Sequence, residues 1–430
     1  MDATRRPHLV FQNYRTKRSG RKTEVKLREI CAVRPILKNM LRKLVDLITS
    51  LKLTIVCLAA AMVLIFAGTL AQVHLGIHEA QQRYFQSLFV WWPQESRGFK
   101  IPVFPGGHLI GAVLLINLIA AHAKRFRWAW RKLGIHLTHA GLIIMLAGGL
   151  FTDLFAVESH MRLSQGDTKN YSEHPRLMEL AVIDTTDPEF DQVTAIPEAL
   201  LRRKRMIEHG SLPFEIVVKN FFQNSRLQML SESTDGARPI ANQGPGAQIA
   251  VQSAPRATGV DERDVVTAAI EIVPIDFATS AVAPSLGTWL VSDALGAPQR
   301  FSCAGRTWQL VMRPTRYYKP FSVTLQKFTH EKYAGTEIPK NFASRISLID
   351  SERAVNRDIL IYMNHPLRYR GETFYQAGFQ QDDSASILQV VHNPSFIAPY
   401  VACVIVAAGL LFQFGYHLVG FSRRRRTALA

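Results

Sequence analysis

The sequence predicts an integral membrane α + β protein: four transmembrane helices, with a large extracytoplasmic β-rich domain, a sandwich or open barrel, between the third and the fourth. Three observations predict it. Four uncharged apolar runs are each long enough to cross a bilayer as a helix, which takes about 20 residues. Positive charge clusters beside those runs. The long stretch between the third and fourth runs is close to charge balance and broken into short segments rich in Val, Ile, Thr and aromatics.

The runs place helices at about 53–73, 106–123, 133–152 and 396–420. The second begins after Pro105-Gly106-Gly107. The first starts too far into the chain for a cleavable signal peptide, so it reads as a permanent anchor. The expected layout is a basic cytoplasmic arm (1–46), three helices (47–154), the β-rich domain (155–395), a fourth helix (396–420) and a basic tail (421–430).

The formal net charge of +17 suggests nucleic acid until the charges are located. Residues 1–43 hold 13 Lys/Arg against 3 Asp/Glu, Lys124 to Lys132 holds 5 and no acid, and Arg423 to Arg426 holds 4. Residues 156–394 hold 25 Lys/Arg and 27 Asp/Glu. Basic segments flanking apolar runs are the positive-inside pattern and a footprint for anionic membrane lipid, not for nucleic acid. With four spans all three clusters fall on one side, which puts both termini in the cytoplasm and residues 155–395 outside, as expected of a multi-pass protein of the bacterial inner membrane.

Of the four cysteines, Cys57 and Cys403 lie in apolar runs, Cys31 in the basic arm and Cys303 alone in the polar domain. That domain therefore has no internal disulfide. The absence of C-x-x-C excludes a thioredoxin-like reductant and a c-type cytochrome.

Seven segments of the polar domain read as strands: PFEIVVKNF, DVVTAAIEIV, TWQLVMRP, FSVTLQKF, SRISLID, DILIYMN and ETFYQAGF. A helix is expected near Ile196 to Glu208. Residues 231–260, poor in large apolar side chains, read as a loop or flexible insertion. No hydrolase, zinc-protease, nucleotide-binding or dinucleotide-binding signature occurs. His365, before a proline, reads as a turn residue, and His160, His174, His209 and His330 as isolated surface residues.

Chemistry is expected from the histidines of the apolar runs, because an ionisable group within a bilayer marks a functional site by default. His122 ends the second run, His136 and His139 open the third, and His417 ends the fourth. His136 and His139 are three apart and share a helix face. His139 lies about 10 Å along the helix from Lys132, beyond easy snorkelling. Neutral imidazole is the usual axial ligand of haem iron. His139 is the leading candidate, followed by His136, then His417 and His122, for which residence at the membrane interface is an ordinary explanation. Gly141, Gly148 and Gly149 leave room for a flat ligand or another helix. Trp91, Trp92, Trp128 and Trp130 read as interfacial belt residues. His74, His78, His108 and His392, near the outer face, carry no assigned role.

Several segments resemble the ResB/CcsB family. They are Ser50 to Val90, the Pro105 to Trp128 stretch with its Asn117-Leu118 pair, the third run with His139-Ala140-Gly141, Pro320 to Asp350, MNHPLRYRGETFYQAGF as the most specific, and Asn393 to Phe414. The resemblance covers roughly 47–180 and 310–420, and nothing in 190–300. It implies an accessory subunit of System II cytochrome c biogenesis, not an enzyme on its own. With a ResC/CcsA-like membrane partner, it would bring haem across the membrane for attachment to apocytochrome c. A thioredoxin-like thiol reductant is a further implied partner. By position, His139 matches the family's membrane histidine, implying an axial ligand for b-type haem in transit. Two other classes remain open from the residues themselves: a membrane electron-transfer subunit with permanent b-type haem, and a haem-free scaffold or adaptor.

Overall fold

Each apolar run becomes a helix, and the helices extend past the runs. The computed structural model describes residues 38–92, 99–203, 206–232, 238–259, 262–276, 281–282, 284–333, 335, 339–380 and 385–429. It contains four helical stretches long and apolar enough to cross a membrane: Leu51–Phe85, Gly107–Arg125, Trp130–Phe155 and Ala398–Arg425. Within them the α-helices are Leu51–Ala80, Gly107–Arg125, Leu133–Phe155 and Ala398–Leu429, here called the first to fourth helix. The basic arm and most of its charge lie outside the described residues, as does Cys31.

The first helix runs past Val73, where the apolar count stops and a loop is expected. Polar residues continue it, helped by an ion pair between Glu79 and Arg83 one turn apart. Gly76 breaks its geometry with a φ of 73°. A Cβ there would collide with the carbonyl of Thr258, so both the conformation and the close approach require glycine.

The described residues divide into two units. One draws on Met1–Phe66, Tyr84–Leu146 and Tyr400–Ala430, the other on Ala67–Arg83 and Ala147–Pro399. In the first unit Cys57, Leu64 and Ile110 form a small core between the first and second helices, while small residues bring the third and fourth together. A Cβ on Gly134 would lie 2.6 Å from the carbonyl oxygen of Gly409, and one on Gly141 2.5 Å from Val406 Cγ2. Third and fourth helices therefore meet backbone to backbone, as small residues permit. Two of the glycines that flank His136 and His139 thus serve helix packing rather than a flat ligand.

The second unit is dominated by antiparallel strands. A ten-stranded sheet runs in the order Val355–Tyr362, Pro339–Asp350, Arg306–Lys332, Thr168–Asp184, Val157–Ser164, Ala385–His392, Glu372–Phe379, Leu367–Tyr369, with Gln299–Cys303 and Gln192–Pro197 attached to its long strands. A five-stranded sheet is built on Phe214–Phe222 and Thr267–Asp276.

TWQLVMRP and FSVTLQKF, expected as separate strands, are one strand of 27 residues, Arg306–Lys332. Its pairing slips between Pro314 and Arg316 and again between Tyr318 and Val323. Prolines cannot donate to a ladder and are tolerated at such irregularities. The bends let one strand serve two cores. Trp308, Leu310 and Met312 join Phe214, Ile216 and Leu180 in the first. Phe321, Val323 and Leu325 join Met161, Leu163, Phe374 and Leu388 in the second. The period of two in each half reports the buried face.

Two expectations are corrected. The helix near Ile196 to Glu208 is only the five-residue Glu198–Arg202, because Ile196 belongs to a strand whose alternate residues Thr194 and Ile196 are buried. Residues 238–259 of the expected insertion contribute the strand Ile249–Ser253, paired with Ser225–Met229, and a small core of Ala241, Ile249 and Leu290. The apolar residues there are too few and too small for their alternation to stand out.

Candidate functional site

The second and third helices form a hairpin. The second ends in Lys124 and Arg125, cations that complement the carbonyl end of a helix. The chain turns at Phe126, runs extended to Ala129, and re-enters a helix through a single turn at Trp130–Lys132. This brings His122 opposite the first two turns of the third helix.

Three of the four expected histidines meet there. The His122 ring lies 5.1 Å from that of His136 and 5.2 Å from that of His139, stacked on the latter at 23°. Phe126 packs on His136 at 4.7 Å, and Trp128 lies parallel to it at 6.4 Å. Trp128, expected as a belt residue, thus also contacts the cluster. His417 is in none of these ring contacts: it touches Tyr416 and is 2.8 Å from the Gln413 amide.

Two of the imidazoles have their tautomers fixed by backbone. His139 Nδ1 is 2.8 Å from the Ile135 carbonyl oxygen, and His136 Nε2 is 3.2 Å from that of Arg127. A carbonyl only accepts, so each of these ring nitrogens carries the proton and the other is left with its lone pair. For His139 the free atom is Nε2. For His136 it is Nδ1, which is buried without a hydrogen-bond partner. A backbone acceptor behind a ring nitrogen is the arrangement that orients a metal-ligating histidine.

The cluster opens on a cavity of about 590 Å³, within the range of small-molecule and cofactor sites. Its walls are Leu51 and Leu58 of the first helix, Leu114, Leu118 and Ala121 of the second, and Ile135, Leu142, Met145 and Leu146 of the third. His122, His136 and His139 line it, with Thr49, Thr54, Asn117, Arg125 and Lys132, and no carboxylate. An apolar chamber with imidazole nitrogens and cations suits an apolar ligand that carries negative charge at one end.

Asn117 holds the chamber's geometry. Its amide nitrogen donates to the carbonyls of Ile48 (2.5 Å) and Ser50 (3.1 Å), and its oxygen accepts from Thr54 Oγ1 at 2.6 Å. It is 2% exposed and fully satisfied, tying the second helix to the start of the first. An asparagine in an apolar run is a polar group needing a partner, and that signal was available in the sequence. Arg125 and Lys132 were legible only as basic loop residues.

Among the described residues, the His122, His136 and His139 cluster included, no group of three or more His, Cys, Asp or Glu is placed to hold a bare metal ion. His365 stacks on Tyr362 at 4.3 Å within a turn where their backbones pair. His174 Nδ1 accepts from the backbone N–H groups of Arg176 and Leu177, and burial pushes this imidazole below its ordinary value. Cys303 is free and buried, and burial raises its thiol.

Comparison with known proteins adds two findings. A sequence model of the ResB-like family matches residues 304–387, the span from the long strand to the start of Ala385–His392. Protein NrfI of Wolinella succinogenes is 29% identical over 104 residues, which are 24% of this chain and 12% of NrfI. The chain thus aligns with about an eighth of that relative's length.

Proposed function

We propose, from the match of the ResB-like family model to residues 304–387 and from the helix cavity, that the chain works in cytochrome c biogenesis as the haem-handling accessory subunit of a membrane complex. Its cargo is b-type haem in transit to apocytochrome c, and its partner is a ResC/CcsA-like membrane protein. Covalent attachment belongs to the complex, and this chain supplies a holding site.

The observation that carries this reading is the cavity in which His122, His136 and His139 converge among leucines without a carboxylate. His139 would hold the iron: its Nδ1 faces the Ile135 carbonyl, which leaves Nε2 of the neutral ring as the atom that could bind it. The apolar walls exclude water from the porphyrin faces, and Asn117 keeps the first and second helices in register around it. Under the positive-inside rule the Lys124 to Lys132 loop faces the cytoplasm, the side on which haem is made.

A permanent bis-histidine haem of an electron-transfer subunit is disfavoured by one feature. A haem held by His122 and His139 together would need their nitrogens to face each other across it, whereas the two rings stack directly on each other at 5.2 Å and 23°. The second ligand is therefore assigned to the partner.

The test is maturation of a c-type cytochrome reporter in cells whose only haem-attachment system is this chain and its partner. His139→Ala is expected to lower holocytochrome at least tenfold, with normal levels of the membrane protein. Wild-type holocytochrome from the His139→Ala strain would contradict the proposal.

A further inference from the structure

The cavity's charge is as specific as its shape. Its lining carries Arg125 and Lys132 and no acid. The neighbouring Lys124 is engaged with Asp46 at 2.6 Å, whereas Arg125 reaches the carbonyl of Thr49 at 3.3 Å and, among the described residues, no carboxylate. Among the described residues Lys132 has no carboxylate partner. Both cations sit at the loop end of the helical hairpin, while the leucines lie deeper along it. Between them is His139, seven residues or about 10 Å along the helix from Lys132.

An anionic amphiphile would be polarised by this arrangement, with charged arms at the loop and apolar body among the leucines. Resting on the reading of the cavity as a haem site, we propose that Arg125 and Lys132 pair with the two porphyrin carboxylates, and so fix the haem's orientation and make the site selective for the dicarboxylic acid. The imidazoles hold the metal, and the two cations hold the opposite charge at one edge. Charge-assisted hydrogen bonds of this kind are about twice as strong as neutral ones, and Arg presents a planar fork that matches a carboxylate. Under the positive-inside orientation the carboxylates point to the cytoplasmic rim, so the macrocycle enters apolar edge first.

The experiment uses the full chain in discs of phosphatidylcholine, with empty discs as the reference for partitioning. Three probes are titrated: iron protoporphyrin IX, the same porphyrin without metal, and the metal-free dimethyl ester. The wild type is expected to bind the metal-free diacid about tenfold or more tightly than the ester. Arg125→Gln with Lys132→Gln should remove that preference, and Arg125→Lys with Lys132→Arg should restore most of it. His139→Ala should leave the metal-free preference intact while abolishing the iron–histidine spectrum. Equal binding of diacid and ester by the wild type, or an undiminished preference in the double Gln variant, would overturn the pairing. An iron–histidine spectrum that is absent from the wild type, or retained by His139→Ala, beside an intact diacid preference would instead overturn only the assignment of His139.

Discussion

His139 is hydrogen-bonded through Nδ1 to the carbonyl of Ile135, 2.8 Å away and one turn earlier in the same helix. The bond uses an acceptor that the helix already contains, so the imidazole is oriented without a second helix. In the neutral ring it fixes which nitrogen carries the proton. His136 achieves the same with the other nitrogen, against the carbonyl of Arg127 in the loop. Two histidines on one face, both lining one chamber, thus use different ring atoms against the backbone.

Asn117 is expected to govern the shape of that chamber. Asn117→Leu removes two donated bonds and one accepted bond, leaving the Ile48 and Ser50 carbonyls and the Thr54 hydroxyl to find other partners. Loss of buried hydrogen-bond partners costs about 1–3 kcal/mol. Thermal unfolding in detergent should show a lowered midpoint, and haem titration a weaker site. A midpoint equal to wild type would show that the carbonyls are satisfied another way.

The ion pair of Arg313 with Glu179 joins directly opposed residues on two strands of the large sheet, at 2.9 Å and with both side chains nearly buried. Removing one partner of a buried pair costs about 3–5 kcal/mol, because the other charge stays desolvated. Arg313→Met should therefore destabilise the strand-rich unit strongly. Glu179→Leu in the same chain should recover much of the loss, which a double-mutant cycle by chemical unfolding measures. Additive losses would contradict a coupled pair.

Asp350 gives the fold an acid limit. Burial by itself would raise its carboxyl, but hydrogen bonds from the Tyr369 hydroxyl, the Arg370 guanidinium and the Arg353 N–H outweigh it and hold the group below its ordinary value. The native state then releases this proton more readily than the unfolded chain does. The resulting stability is complete above the ordinary carboxylate value of about 3.9 and is lost as pH falls below it. Asp350→Asn should be less stable than wild type at pH 7, with the gap narrowing as pH falls below about 4. A gap independent of pH would show that the charge is not what stabilises the turn.

The sequence exposes the membrane half of this protein well, since a helix in lipid must satisfy its own backbone and needs a long uncharged run. Its histidines were visible for the same reason: each is expensive where it stands. What stayed hidden is which partner each finds. That His122 faces His136 and His139, while His417 contacts Gln413 and Tyr416, depends on helix rotation, which composition does not set. In the sheets, Val157–Ser164 escaped notice because charged residues interrupt its buried Ser159, Met161 and Leu163. The Arg370-Gly371 turn was recognisable as a motif, but not its strain. Both residues have positive φ, 47° and 80°, and Arg370 holds that conformation while bonded to Asp350 and Glu352.

The most direct test of the central claim is the absorption spectrum of the chain purified with the proposed ResC/CcsA-like partner, compared between wild type and His139→Ala. The account predicts a b-type haem signal in the wild type, its loss in the variant, and its return when imidazole fills the vacated place. A variant spectrum identical to wild type would remove His139 from the iron and contradict the haem site proposed here.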